Sequence, residues 1–224
     1  MGIYLNPDSS KFEEAVNSDI YVDKTGLLTY TNSVLHTMQK YICISRPRRF
    51  GKSTAANMLT AYYSRGCDAE QIFSQFEIAK DSGFKKYLNK YNTISVNMQE
   101  ILSRSRSIYE LIERFNKLLI RDLKKEYLDV DYFDDTDVIE CMQDVYSQKK
   151  QAFIVILDEW DCIFREYKED KEAQEKYLDF LRDLLKDKAY IHLAYMTGIL
   201  PIKKYGTHSA LNMFDEFSMI DPGP

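Results

Sequence analysis

Two short runs in this sequence carry residue types that can do chemistry together. The first is Gly51-Lys52-Ser53-Thr54. Phosphates concentrate negative charge, and a helix N-terminus offers free N–H groups and a positive dipole end. A glycine ahead of such a helix lets the backbone approach closely. A lysine neutralises the β- and γ-phosphates, and a hydroxyl such as that of Ser53 is an oxygen ligand for Mg²⁺. The second run is Asp158-Glu159, directly after Phe153-Ile154-Val155-Ile156-Leu157. An aspartate at the C-terminal tip of a buried strand meets a ligand crevice and can hold Mg²⁺. The glutamate after it can orient and deprotonate a water molecule.

Neither run decides the matter alone. The full phosphate-loop pattern G-x-x-x-x-G-K-[ST] has glycine where this chain has Arg46, so the short run also reads as a basic turn. An isolated Asp-Glu also reads as two acids capping a strand in solvent. Together each supplies what the other lacks: one grips phosphates, the other holds metal and water. The ligand they point to is a nucleoside triphosphate with Mg²⁺. Of the loop arginines Arg46, Arg48 and Arg49, Arg49 is expected on the phosphates, beside Gly51, Lys52, Ser53 and Thr54. The others read as solvated or paired. Thr197, before Gly198, is expected at the tip of a strand between the other two, pointing at the γ-phosphate or the water. A threonine that simply ends a strand is the alternative.

These residues need strands and helices to position them. Tyr41 to Ser45 is short, apolar and β-prone, and Phe153 to Leu157 is apolar and rich in β-branched residues, which suits a strand covered on both faces. Thr93 to Met98 and Tyr190 to Met196 complete four strands, with Phe214 to Ile220 as a fifth. Helices are predicted from Ser10 in a capping box with Glu13 and over Lys52 to Arg65 with Gly66 as the stop, with a second amphipathic stretch running from Gly26 towards Met38. Further helices are predicted from Ser107 in a second capping box, over Val138 to Tyr146, and over Lys171 to Lys188. Asp129 to Asp137 reads as an acidic loop. Strands alternating with helices imply an α/β sandwich.

The chain has 224 residues and a formal net charge of −5, enough for one sizeable core and without the basic excess of a nucleic-acid coat. Its four cysteines form no C-x-x-C pair, and Cys43 and Cys162 read as buried free thiols. No leader or membrane-spanning run is legible, so a cytoplasmic protein away from the membrane is expected.

The ordered motifs resemble those of the AAA-ATPase-like domain found in many bacterial proteins. They are Tyr21-Val22-Asp23-Lys24-Thr25, Arg46-Pro47-Arg48-Arg49-Phe50-Gly51-Lys52-Ser53, Asp158-Glu159-Trp160-Asp161, Thr197-Gly198-Ile199 and Leu211-Asn212. The resemblance covers most of the chain, and that family shares the missing first glycine. It implies a three-layer α/β/α P-loop NTPase sandwich with a mostly parallel sheet over residues 1–224. It implies ATP as substrate and Mg²⁺ as cofactor, with Lys52, Glu159 and Thr197 catalytic and Ser53 and Asp158 on the metal. It places Asp23 and Lys24 in a segment lining the adenine side, or else in a purely structural one. A PD-(D/E)xK nuclease-like domain usually follows in the family. The chain is therefore expected to be a piece of a longer protein, and nucleic acid to be met through the absent domain.

Three functions share these residues: ATP hydrolysis, nucleotide-gated binding of nucleic acid or protein with little turnover, and phosphotransfer to a metabolite. The Asp-Glu pair favours water as acceptor. Hydrolysis of this kind uses an arginine, expected from a neighbouring copy in a homo-oligomer or from a following domain, with Arg165 and Arg182 as candidates within the chain. No base-reading motif separates ATP from GTP.

Overall fold

The computed structural model describes residues 2–202, 210–219 and 221. Its frame is a parallel sheet of β1 (Tyr41–Ser45), β2 (Asn92–Asn97), β3 (Phe153–Asp158), β4 (Ile191–Gly198) and β5 (Asp215–Phe217), in the order β2-β3-β4-β1-β5. Every named strand pair runs parallel, and the four longer strands agree with the runs predicted from sequence. β5 lies inside the predicted fifth strand, whose last residue, Ile220, lies outside the described residues.

Side-chain alternation along the strands sorts the core into two layers. Phe153, Val155 and Leu157 face one hydrophobic cluster, and Ile154 and Ile156 face the other. Both faces of β3 are buried, which explains why its sequence is continuously apolar rather than alternating.

One layer holds α1 (Ser10–Val16), α2 (Gly26–Val34), α3 (Lys52–Tyr63) and the short turns α4 (Glu70–Phe73) and α5 (Phe84–Tyr87). The other holds α6 (Met98–Leu102), α7 (Ile108–Glu126), α8 (Val138–Lys149), α9 (Cys162–Glu166) and α10 (Lys171–Leu185). α3 links β1 to β2 and so crosses β4 and β3, packing on all three of β2, β3 and β4. That crossing carries its first turn to the C-terminal ends of the strands.

Three sequence expectations are corrected. The N-cap of α1 is Ser9, not Ser10, and Ser9 Oγ donates to the Glu13 carboxylate instead of capping a backbone N–H. The Ser10 hydroxyl and N–H are taken by Asp8 Oδ1 at 2.6 and 3.1 Å. α3 ends at Tyr63 with Ser64 as its cap, and Gly66 is not a left-handed stop. A side chain at Gly66 would strike the Asn6 carbonyl, so glycine is required there by a packed neighbour. The capping box at Ser107 holds in half. Ser107 Oγ accepts the Glu110 N–H at 3.2 Å, while the Glu110 carboxylate takes the N–H of Arg106 rather than that of Ser107.

The N-terminal segment also pairs with β2. Ser95 N donates to Tyr4 O at 2.9 Å and Asn6 N to Thr93 O at 2.7 Å, covering an edge that would otherwise stay open.

Candidate functional site

Three helices start at the C-terminal end of the sheet, because a parallel strand leads into the N-terminus of the helix after it. α3 follows β1, α6 follows β2 and α9 follows β3. Positive dipole ends therefore converge at this end. A cleft of about 740 Å³ opens here, lined by Gly51, Lys52, Ser53 and Thr54 on one wall and by Glu159 and Arg165 on the other. Arg49 also lines it. The tertiary structure thus brings together the Gly51-Lys52-Ser53-Thr54 run and Glu159, which lie more than a hundred positions apart in the sequence.

The loop from Arg46 to Gly51 bends through two left-handed residues, Arg49 (φ 67°) and Gly51 (φ 72°). For an arginine that conformation costs roughly 1–2 kcal/mol. Arg46 N donates to Gly198 O at 3.1 Å, which ties the loop to the end of β4. Lys52 is only 7% exposed, and its Nζ donates to Pro47 O at 2.9 Å, so the ammonium folds back across its own loop. Gly51 O accepts the N–H of Ala55 at 2.9 Å and opens α3.

Asp158 follows the parity of Ile154 and Ile156 and so faces the α3 layer. With Ser53 and Asn97 it lines a smaller pocket of about 250 Å³ that shares Ser53 and Asn97 with the main cleft. The carboxylate is 7% exposed. Its Oδ1 accepts the Thr197 hydroxyl and the Glu159 N–H, the latter at 3.0 Å, while among the described residues Oδ2 is met by Asn97 Nδ2 alone, at 3.4 Å. Among the described residues, no lysine or arginine pairs with it. A buried carboxylate needs a cation or several donors. Oδ2, with the Ser53 hydroxyl across the pocket, is the hard-oxygen donor set that suits Mg²⁺ sharing its shell with phosphates. Among the described residues, no three His, Cys, Asp or Glu side chains group as a metal cage.

Thr197 is fully buried and its hydroxyl is committed to Asp158. It sits between β1 and β3, as the strand order requires, with Ile44 as its partner across β1. Its side chain does not line the cleft, and in this arrangement it holds Asp158 in place.

Glu159 leaves the strand with φ 56°, an uncommon conformation for a residue other than glycine, and its side chain enters the cleft. There Arg165 Nη2 forms an ion pair with its carboxylate and donates to Gln99 Oε1 at 3.1 Å. Arg165 Nε lies 3.6 Å from Asp161 Oδ2. Asp161, fully buried, accepts the N–H groups of Ile199 and Leu200 at 3.0 and 2.9 Å. Trp160 N donates to Thr197 O at 3.0 Å, so this loop is fastened to β4 on both sides of Gly198. A Cβ at Gly198 would lie 2.6 Å from Trp160 Nε1 and 2.9 Å from Asp161 Oδ1, so the position excludes any side chain.

Arg182, the other arginine singled out from sequence, is not brought to the cleft. It pairs with Asp179 and Asp183 on α10. Asp23 and Lys24 are placed beside the phosphate loop, with Lys24 Nζ 2.9 Å from Phe50 O. Asn97 and Gln99 were not found from sequence. The signal available was their position, Asn97 at the end of the predicted strand Thr93 to Met98 and Gln99 just past it, beside β3 at the strand end where ligands bind.

The family model AAA-ATPase_like, described as a predicted AAA-ATPase, matches residues 9–207. No curated protein matches the chain. Among solved structures the chain is similar to the ORC2 protein of Aeropyrum pernix in its ADPNP–ADP complexes. That match has 11% identity and a TM-score of 0.47, and covers 90% of this chain and 50% of that one. The chain therefore spans about half the length of that structure.

Proposed function

Because the chain belongs to the AAA-ATPase-like family, we propose that it binds ATP with Mg²⁺ in the cleft at the head of α3 and hydrolyses the β–γ phosphoanhydride. One observation carries this reading: Gly51, Lys52 and Ser53 share a single cleft with Glu159, and Ser53 shares the adjoining pocket with Asp158. The α3 N-terminus and the Lys52 ammonium bind the phosphates, and Lys52 exchanges the Pro47 carbonyl for a phosphate oxygen. Ser53 and Asp158 would hold Mg²⁺, which would supply positive charge to offset the negative charge of the phosphates. Thr197 and Asn97 keep the Asp158 carboxylate oriented. Glu159, once parted from Arg165, accepts the proton of the attacking water. Arg165 is then free to face the charge that builds on the γ-phosphoryl oxygens, the role otherwise expected of an arginine from a neighbouring copy.

A second reading, nucleotide-gated binding with little turnover, is favoured by the Arg165–Glu159 ion pair, since Arg165 occupies the carboxylate that would take the proton of water. Phosphate release at saturating Mg²⁺-ATP separates the two. Turnover well above the buffer blank supports hydrolysis, and binding without turnover supports the gate. Both readings rest on thermal unfolding with Mg²⁺-ATP, Mg²⁺-GTP and neither. A ligand that binds only the folded chain raises Tm, and no rise with either nucleotide at millimolar concentration sinks both.

A further inference from the structure

The loop between β1 and α3 lacks the glycine at position 46 and carries a non-glycine residue, Arg49, in the left-handed region. Something outside the loop must hold that shape, and Lys24 is the side chain in place to do so. Its Nζ donates to Phe50 O at 2.9 Å, between the two left-handed residues. The same nitrogen lies 2.5 Å from where a Cβ on Gly51 would stand. Gly51 is required by its φ of 72°, and a side chain there would also displace the Lys24 ammonium from its place against the loop.

Lys24 is itself held by a bracket. Asp23 Oδ1 accepts the Thr25 N–H at 2.8 Å, Asp23 Oδ2 the Glu77 N–H at 3.0 Å, and Thr25 Oγ1 the Ile78 N–H at 3.1 Å. Burial alone would raise the Asp23 carboxyl, but the Glu77 and Thr25 N–H groups outweigh it and hold the acid below its ordinary value. An ionised Asp23 thus fixes the turn from which Lys24 reaches across.

In a planar trans peptide the C=O and the following N–H point in opposite directions. An ammonium that holds the Phe50 carbonyl therefore turns the Gly51 N–H away from Lys24. Gly51 lines the cleft and Lys24 does not. We propose that Lys24 is a positioning residue for the phosphate loop: it fixes the Phe50–Gly51 peptide so that the Gly51 N–H is presented to a polyphosphate chain. This inference rests on the nucleotide reading of the cleft and deepens it.

The test uses inorganic tripolyphosphate and Mg²⁺-ATP as probes, titrated into the whole chain and followed by calorimetry. Lys24→Met weakens both probes about tenfold, the loss expected when one charge-assisted hydrogen bond no longer orders the loop. Lys24→Arg recovers most of that loss, and Tm without ligand stays within about 3 °C of wild type, an effect below about 1 kcal/mol for a chain of this size. Equal affinity in wild type and Lys24→Met overturns the inference and leaves the nucleotide reading standing. A wild type that binds neither probe overturns both. If Lys24→Met fails to fold, the wild type still decides through NMR. The Gly51 amide must shift on addition of tripolyphosphate, and an unmoved Gly51 signal in the presence of bound probe overturns the assignment.

Discussion

The two ends of the sheet differ in what they do with titratable groups. At the C-terminal end three helix N-termini converge, and Asp158, Glu159 and Lys52 each face a pocket and a matched partner. Asp158 has Thr197, Glu159 has Arg165, and Lys52 has a loop carbonyl. At the N-terminal end, His192 at the start of β4 packs edge-on against His36 with ring centroids 4.1 Å apart, and Tyr91 lies 5.8 Å away. Burial, with His36 and Lys40 nearby, holds the His192 imidazole down to about 4. Burial also lowers His36, helped by Lys40 and Lys86. A histidine pair kept neutral among lysines packs well but cannot serve as an acid near neutral pH. One end of a parallel sheet is thus pre-arranged for anions by chain direction alone, while the other is left to packing.

The comparison breaks most visibly at Glu159. Glu159→Gln keeps the shape and removes the base, so phosphate release falls roughly 10²- to 10⁴-fold, while the Tm rise with Mg²⁺-ATP persists. If steady-state turnover is unchanged in that variant, Glu159 is not the base. Next in size is Lys52→Ala, which removes a charged phosphate contact. Loss of about 2 kcal/mol of binding, some thirtyfold in Kd, is expected by calorimetry, along with a smaller ligand-induced Tm shift.

Arg165→Gln sharpens the contrast between gate and hydrolase. If the ion pair mainly restrains Glu159, single-turnover hydrolysis rises several-fold. A fall of tenfold or more instead makes Arg165 a charge-stabilising group in the reaction.

The smallest effect lies at the other end. The folded His192 is depressed below its unfolded value of 6.5. Between about 6.5 and 4 the unfolded chain therefore binds more protons than the folded one. The stability is whole above 6.5 and drains away as pH falls through that window. His192→Gln flattens this acid loss in urea titrations at pH 7.5 and 5, and turnover at pH 7.5 stays within about twofold, as for a side chain remote from the reacting atoms.

Much of this arrangement is legible in the chain because it is local. The run from Tyr41 through Tyr63 holds strand, loop and helix start within one stretch, so the phosphate-binding residues and their scaffold are read together. The apolar run of β3 ending in Asp158 is equally plain. What was not legible depends on neighbours remote in sequence. Gly66 reads as a helix stop by spacing, yet its constraint comes from the Asn6 carbonyl. Thr197 reads as a sensor by its place in the strand order, yet its hydroxyl is taken by Asp158. Lys24 belongs to a motif read from sequence as lining the adenine side or as purely structural, and its contact with Phe50, 26 positions later, is visible only in the fold.

By itself, then, the sequence determined the strands, the longer helices, the parallel layering and the two runs of chemical residues, while the short helices α4, α5, α6 and α9 went unread. Periodicity and residue type act over a few neighbouring positions and need no partner. Only the tertiary structure decided which atoms those residues touch: that Arg165 occupies Glu159, that Thr197 and Asn97 orient Asp158, and that a lysine from the N-terminal segment holds the phosphate loop. Those contacts come from strand order and from α3 crossing the sheet, and the free energy selecting them is shared across the whole core rather than written into any one segment.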